Sequence, residues 1–347
     1  MPRDPTAFLS LDDVSRYAVD PRRRLHSASH EEIVAGATTD VYFVRTLEVL
    51  RALGLADTPV VAEIFASREG VLAGGDEVRY LLRDAGVRIE ALPEGNVFAS
   101  REVVMRIEGP YARFGMYETV ILGMLAHASG WATAARQVVT AAKEAPVYSF
   151  GARHVHPAVA PVMERAAILG GMRGAACILG ARLAGQDPVG TMPHALILLV
   201  GDTLRAALAY HELMPAGVPR LILVDTFTDE AVEAVRVAEG MQGALTAIRL
   251  DTPRERGSVT PDLVREVRAR LGLSGHPAVQ IFVSGGVTPE RIPALLEAGT
   301  DAFGVGSYVS GAPPIDMTMD LREINGKPMA KRGRTPGRTS SPRLRAR

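Results

Sequence analysis

A single cysteine, Cys177, in a chain of 347 residues excludes an internal disulfide and a cysteine-built zinc cluster. It points to a reducing or redox-indifferent compartment, the cytoplasm by default. An excess of either charge is lacking too: Lys plus Arg and Asp plus Glu each total 39. No net field draws the chain to nucleic acid or to an anionic membrane, and any basic site has to be local. No run of about 18 uncharged apolar residues occurs, and the start Met1-Pro2-Arg3-Asp4 lacks the apolar stretch of a signal peptide. The expectation is a soluble, unexported protein. Metal-ligand spacing is missing as well, since His154 and His156 stand two apart with no His-Glu-x-x-His helix. A protein-only site is expected rather than a zinc centre.

What is present is enough apolar material, 47% of residues, for two domains of ordinary size. Thr38-Thr39-Asp40 reads as a helix start. Short β-like runs between Val60 and Ile107, separated by Gly and Pro turns, suggest a small α/β sandwich. Tyr117 to Lys143 is Ala-rich, has no internal Pro, and reads as a long helix bridging two domains. Beyond Ala145 short apolar runs alternate with helical stretches: Val147–Phe150, Ala175–Leu179, Leu221–Val224, Leu245–Leu250, Val279–Val283 and Ala302–Val305. That alternation favours a parallel sheet, best as an irregular (β/α) barrel. The organisation expected is an α/β chain with an N-terminal α/β sandwich domain and bridging helix (1–145) and a barrel (146–326). A basic tail (327–347), too poor in apolar residues to pack, is expected to be disordered.

The chemistry gathers where those apolar runs end. Ser149-Phe150-Gly151-Ala152-Arg153-His154-Val155-His156-Pro157 places a guanidinium and imidazoles after a strand, a cluster suited to an anionic substrate. Ser284-Gly285-Gly286 and Gly304-Val305-Gly306 read as tight turns whose amides can hold phosphate, the first before a helix start at Thr288-Pro289-Glu290; the plain alternative is that glycine merely tightens these turns. Arg249-Leu250-Asp251 puts a guanidinium and a carboxylate on one face of a strand, as a phosphate and ribose or Mg²⁺ clamp, or as a structural ion pair. Asp225 ends another run and could equally cap the next helix. His194, in Gly190-Thr191-Met192-Pro193-His194, is a general base or a structural histidine by spacing alone.

Taken in order, Thr39-Asp40-Val41-Tyr42-Phe43, Ser149 to Arg153, Gly190 to His194, Arg249 to Asp251, Ser284 to Gly286 and Gly304 to Gly306 make the chain resemble the nicotinate phosphoribosyltransferases, of the type II phosphoribosyltransferase family, from about residue 30 to 330. The resemblance implies an enzyme of NAD salvage that joins nicotinate to 5-phosphoribosyl 1-diphosphate. ATP hydrolysis would be coupled through a phosphohistidine, making it formally a ligase, and Mg²⁺ would accompany both phosphate substrates. It also implies a head-to-tail homodimer, or a higher multiple of dimers, in which the Asp40–Tyr42 segment enters the neighbour's site. Carried over by residue, Tyr42 and Phe150 would sandwich the pyridine ring and Arg153 would meet the carboxylate. His194 would be phosphorylated, and Asp225 and Asp251 would orient ribose and Mg²⁺-diphosphate. Arg249, Ser284, Gly285, Gly286, Gly304 and Gly306 would hold phosphates.

The pattern departs from that family at Arg249-Leu250-Asp251-Thr252-Pro253-Arg254, where many relatives have a second acid, which weakens the expectation of ATP coupling. No acid follows Arg173-Gly174, which favours an anionic base over nicotinamide. The alternatives are quinolinate or nicotinamide phosphoribosyltransferase, a phosphate-binding barrel isomerase or aldolase, and a catalytically silent sugar-phosphate sensor.

Overall fold

The computed structural model describes residues 7–346; residues 1–6 and 347, at the outer ends of the expected first domain and tail, lie outside the described residues. Along the chain the strands are β1 Pro59–Ala66, β2 Gly70–Val71, β3 Arg88–Ala91, β4 Val97–Phe98, β5 Val103–Pro110, β6 Val147–Ser149, β7 Gly174–Ala175, β8 Leu221–Leu223, β9 Ala247–Leu250, β10 Gln280–Val283, β11 Ala302–Val305, β12 Met317–Ile324, β13 Lys327–Pro328 and β14 Arg345–Ala346. Helices are α1 Leu11–Arg16, α2 His30–Ala35, α3 Val41–Ala52, α4 Gly75–Leu81, α5 Glu118–Ala142, α6 Ala160–Leu169, α7 Ile178–Leu183, α8 His194–Val200, α9 Thr203–Leu213, α10 Glu230–Gly240, α11 Pro261–Leu273, α12 Ile292–Glu297 and α13 Ser307–Ser310. The chain divides into two units, Met1–Thr133 with Pro313–Arg347, and Ala134–Ala312. The division falls inside α5, so the long helix belongs partly to each.

The first unit is built on an antiparallel sheet in the order β13-β12-β1-β5-β3-β14. Alternation along β1 sends Val60, Ala62, Ile64 and Ala66 into an apolar core with Met105, Ile107, Ile121 and Leu125. The intervening residue Glu63 points to the other face, opposite Arg106 on β5 and Asp320 on β12. That charged face organises the tail. Thr339 donates its N–H and hydroxyl to Glu63 at 3.0 and 2.7 Å, Arg334 pairs with Asp320 at 2.6 Å, and Arg343 with Glu102 at 2.8 Å. Arg338 reaches both Glu108 and Glu323. The expectation of a disordered tail is therefore corrected. Its arginines meet acidic partners set out by the pleat of distant strands, a complementarity that composition cannot reveal.

Helix α3 begins after Asp40, as expected, yet Asp40 makes no side-chain cap; its carboxylate accepts the Thr119 hydroxyl at 2.8 Å instead.

The second unit is a six-stranded parallel sheet, β7-β6-β11-β10-β9-β8. It is open, a half-barrel in place of the expected barrel, because the edge strands β7 and β8 are not joined in the strand order. Its strands are buried on both faces, Ile248, Leu250, Ile281, Phe303 and Val305 among them, with Met163 of α6, Val237 of α10 and Val267 of α11 packed in the core. The expected strand Ala175–Leu179 is only β7 followed by α7, since Ile178 and Leu179 are exposed residues of a surface helix. Parallel pairing brings the carboxyl ends of the strands to one edge, where α/β sheets hold their ligands.

Candidate active site

At that edge lies a cavity of about 410 Å³, lined among others by Phe150, Arg153, His154, Thr191, Arg249, Asp251, Ser284 to Gly286, Gly304 and Gly306. Arg249, on β9, uses each of its three nitrogens: Nε donates to Ser284 Oγ (2.8 Å), Nη1 to Thr191 Oγ1 (2.8 Å) and Nη2 to Asp251 Oδ2 (2.9 Å). Ser284 Oγ in turn donates to Asp251 Oδ1 at 2.7 Å. The result is a rigid array joining the ends of β9 and β10 to the 190–192 segment.

The glycines are required by space and dihedral. Gly285 and Gly286 have φ of 81° and 63°, and a Cβ on Gly285 would stand 2.9 Å from Asp251 Oδ1. At Gly304 a Cβ would run into the Phe150 ring, and at Gly306 it would meet the His154 ring at 2.7 Å. The Ser284 turn does not lead directly into a helix as expected. Arg291, the residue before α12, folds back onto the carbonyls of Gly286 at 2.7 Å and Val259 at 2.6 Å.

Phe150 stacks on Phe282, centroids 5.8 Å apart, with the Arg249 guanidinium 5.5 Å from its ring. Arg153 and His154 sit side by side in a short turn after β6, Arg153 Nε 3.4 Å from His154 Nε2, and His154 Nδ1 lies 3.2 Å from Ser310 Oγ. Burial, with the neighbouring Arg153 charge, holds the His154 imidazole below its ordinary pKa.

Nine of the twelve residues expected at the site thus line one cavity: Phe150, Arg153, Arg249, Asp251, Ser284, Gly285, Gly286, Gly304 and Gly306. His194 and Asp225 are absent from its lining and pair with each other, His194 Nε2 lying 3.2 Å from both carboxylate oxygens. Burial pushes the Asp225 carboxyl up, and His194 opposes that shift. Tyr42 lies in the other unit, exposed at the start of α3, its ring tilted 40° to that of Phe43 with centroids 4.2 Å apart. Sequence reasoning missed Ser310 and the fully buried Glu164, whose one signal is an acid inside the apolar stretch of α6.

Fixed donors, glycine turns and the Phe150 ring thus meet in one cavity at the carboxyl ends of a parallel sheet, the class of site that α/β folds build for small-molecule ligands. Comparison with known proteins agrees. The model of the N-terminal domain of quinolinate phosphoribosyl transferase matches residues 40–129, and that of its C-terminal domain matches residues 131–320. The chain belongs to the quinolinate phosphoribosyltransferase family, within the type II phosphoribosyltransferases. A solved nicotinate-nucleotide pyrophosphorylase from Pyrococcus furiosus is 48% identical with a TM-score of 0.87, over 91% of this chain and 82% of that one. A nicotinate phosphoribosyltransferase of Mycobacterium tuberculosis is 32% identical over 86% of this chain and 68% of its own length. The carboxylating nicotinate-nucleotide pyrophosphorylase of Rattus norvegicus is 26% identical over 78% and 84%.

These findings correct the expectation of an ATP-coupled nicotinate phosphoribosyltransferase. Both family models and the 48% identical structure belong with nicotinate-nucleotide pyrophosphorylase, a transferase, so the ligase assignment, the phosphohistidine at His194 and ATP as a substrate are withdrawn. His194 is instead the partner of a buried carboxylate. No helix among the described residues is long and apolar enough to cross a membrane.

Proposed function

We propose that the protein is a quinolinate phosphoribosyltransferase: quinolinate and 5-phosphoribosyl 1-diphosphate give nicotinate mononucleotide, diphosphate and carbon dioxide, without ATP. The observation that carries this reading is the ordered match of both quinolinate domain models across residues 40–320. The pyridine nitrogen attacks C1 of ribose as the bond to diphosphate breaks. The 2-carboxylate then leaves as carbon dioxide, and its electron pair at C2 is taken up by a proton.

The cavity offers what those steps need. Departure of diphosphate leaves an oxocarbenium-like ribose, so position and fixed charge matter more than a strong base. The Arg249 N–H groups beyond the three already donated, with the amides of Gly285 and Gly286, hold phosphate oxygens, while Ser284, whose hydroxyl proton goes to Asp251, fixes Arg249 in place. Mg²⁺ arrives with the diphosphate substrate, and Asp251, the carboxylate lining the cavity, has lone pairs beyond those used by Arg249 and Ser284 to meet it. Arg153 and His154 face the two ring carboxylates, and Phe150 packs on the pyridine. Tyr42 closes the ring sandwich from a second chain in a head-to-tail dimer.

The test is turnover of purified protein with phosphoribosyl diphosphate and Mg²⁺, offering quinolinate, nicotinate and nicotinamide separately, each with and without ATP. Quinolinate turnover with one carbon dioxide per mononucleotide, indifferent to ATP, is expected. Turnover of nicotinate alone, stimulated by ATP, would overturn the reading.

A further inference from the structure

Glu164 is fully buried in α6, and its carboxylate ties together two adjoining stretches of the cavity wall, at the ends of the neighbouring strands β6 and β7. Oε1 accepts the Ser149 hydroxyl at 3.1 Å and the Ala152 N–H at 3.3 Å; Oε2 accepts the Cys177 N–H at 2.6 Å. The first stretch is the end of β6 with the turn carrying Phe150, Arg153 and His154, and the second is Ala176–Cys177 at the end of β7. A buried carboxylate is costly unless its lone pairs are filled. Here it is filled by main-chain donors from both stretches, which a neutral isostere cannot reproduce. Replacing one oxygen by an NH₂ sets donor against donor at one of them.

We propose that Glu164 is a positioning residue for substrate recognition: by tying the turn after β6 to the segment after β7 it sets where Arg153 and Phe150 stand in the cavity wall, and so the fit of the pyridine acid. This rests on the proposed quinolinate reaction. The glycine turn at Gly285–Gly286 and Asp251 hangs from β9 and β10, which make none of the Glu164 hydrogen bonds given above. The clamp therefore acts on one substrate and not the other. A residue serving stability alone would affect both.

Glu164→Gln is the test, with two readouts. In steady state the KM for quinolinate rises at least about tenfold while that for phosphoribosyl diphosphate stays within about twofold, since one unmade buried hydrogen bond to a charged group has roughly that weight. By amide hydrogen exchange, the Ala152 and Cys177 amides exchange at least about tenfold faster while β9 to β11 keep their protection. An equal rise in both KM values, or unchanged exchange at both amides, overturns the proposal. If the wild type turns over no pyridine acid, the quinolinate reading fails while the exchange measurement still decides the clamp. If Glu164→Gln does not fold, Ser149→Ala, which removes one donor and leaves the carboxylate, is measured the same way. A smaller rise confined to the quinolinate KM and the Ala152 amide is expected, and no change at either sinks the idea.

Discussion

Arg249 shows why the type of side chain, and not its charge alone, matters at this site. Its three nitrogens meet three different partners from three segments, a geometry that one ammonium group cannot copy. Arg249→Lys is expected to keep the fold and lose on the order of 100-fold in kcat/KM, as loss of a preorganised donor does, measured by initial rates beside a thermal melt. Glu63 belongs to the same kind of argument on the structural side. It is 1% exposed and receives two hydrogen bonds from Arg106, at 3.0 and 2.7 Å, besides those of Thr339. Glu63→Ala removes one of the two carboxylates that hold the Arg106 guanidinium, Glu90 remaining at 3.0 Å, and should cost about 1.5–3 kcal/mol in a denaturant titration. Glu118 titrates where it can be observed: burial, with Asp320 nearby, pushes its carboxyl up to about 7 from 4.5. A folded pKa above the unfolded one means that the fold holds the extra proton between those values. Stability from this group is full below pH 4.5 and declines as pH rises through 7. Melts at pH 5 and pH 8 should show that decline in the wild type and a smaller one in Glu118→Gln.

At the scale of the element, the glycine turn after β10 is the feature with least tolerance. Two consecutive residues there take positive φ, and the space beside the first is occupied by the Asp251 carboxylate. Gly285→Ala is expected to strain the turn by roughly 1–2 kcal/mol and to displace Asp251. The KM for phosphoribosyl diphosphate should then rise several-fold more than that for quinolinate, the opposite selectivity to that expected of Glu164→Gln. The strand runs that were legible in the sequence, at 147, 221, 247, 280 and 302, were legible because parallel strands buried on both faces are short continuous apolar segments. The run at 175–179 misled for the same reason. An apolar surface helix such as α7 carries the same local text as a strand, and only the neighbours available to cover it decide between them.

For the whole molecule, the C-terminal segment closes the first unit. Chain distant in sequence returns as β12, runs antiparallel to β1, and carries its arginines over the acidic face of the sheet. Removal of residues 329–347 should therefore lower Tm by more than the few degrees typical of trimming a loose end. Loss of the contacts to Glu63, Glu108 and Asp320 amounts to several hydrogen-bonded charges. Calorimetry of the shortened chain checks this; an unchanged melt would return the tail to the status its composition suggests.

The sequence by itself determined the α/β class, the strand ends at which chemistry gathers, and most of the cavity lining, because Gly, Arg and Asp at the ends of apolar runs have few other uses. It could not determine the substrate. Phe150, Arg153, Arg249 and the glycine turns carry no mark that tells one pyridine acid from another, and the choice of a transferase over a ligase came from the family that residues 40–129 and 131–320 match. Only the tertiary structure paired His194 with Asp225, buried Glu164 against the ends of β6 and β7 and ordered the tail. Each of those depends on groups far apart in sequence whose desolvation is offset by one another, and such compensation leaves no periodic trace along the chain.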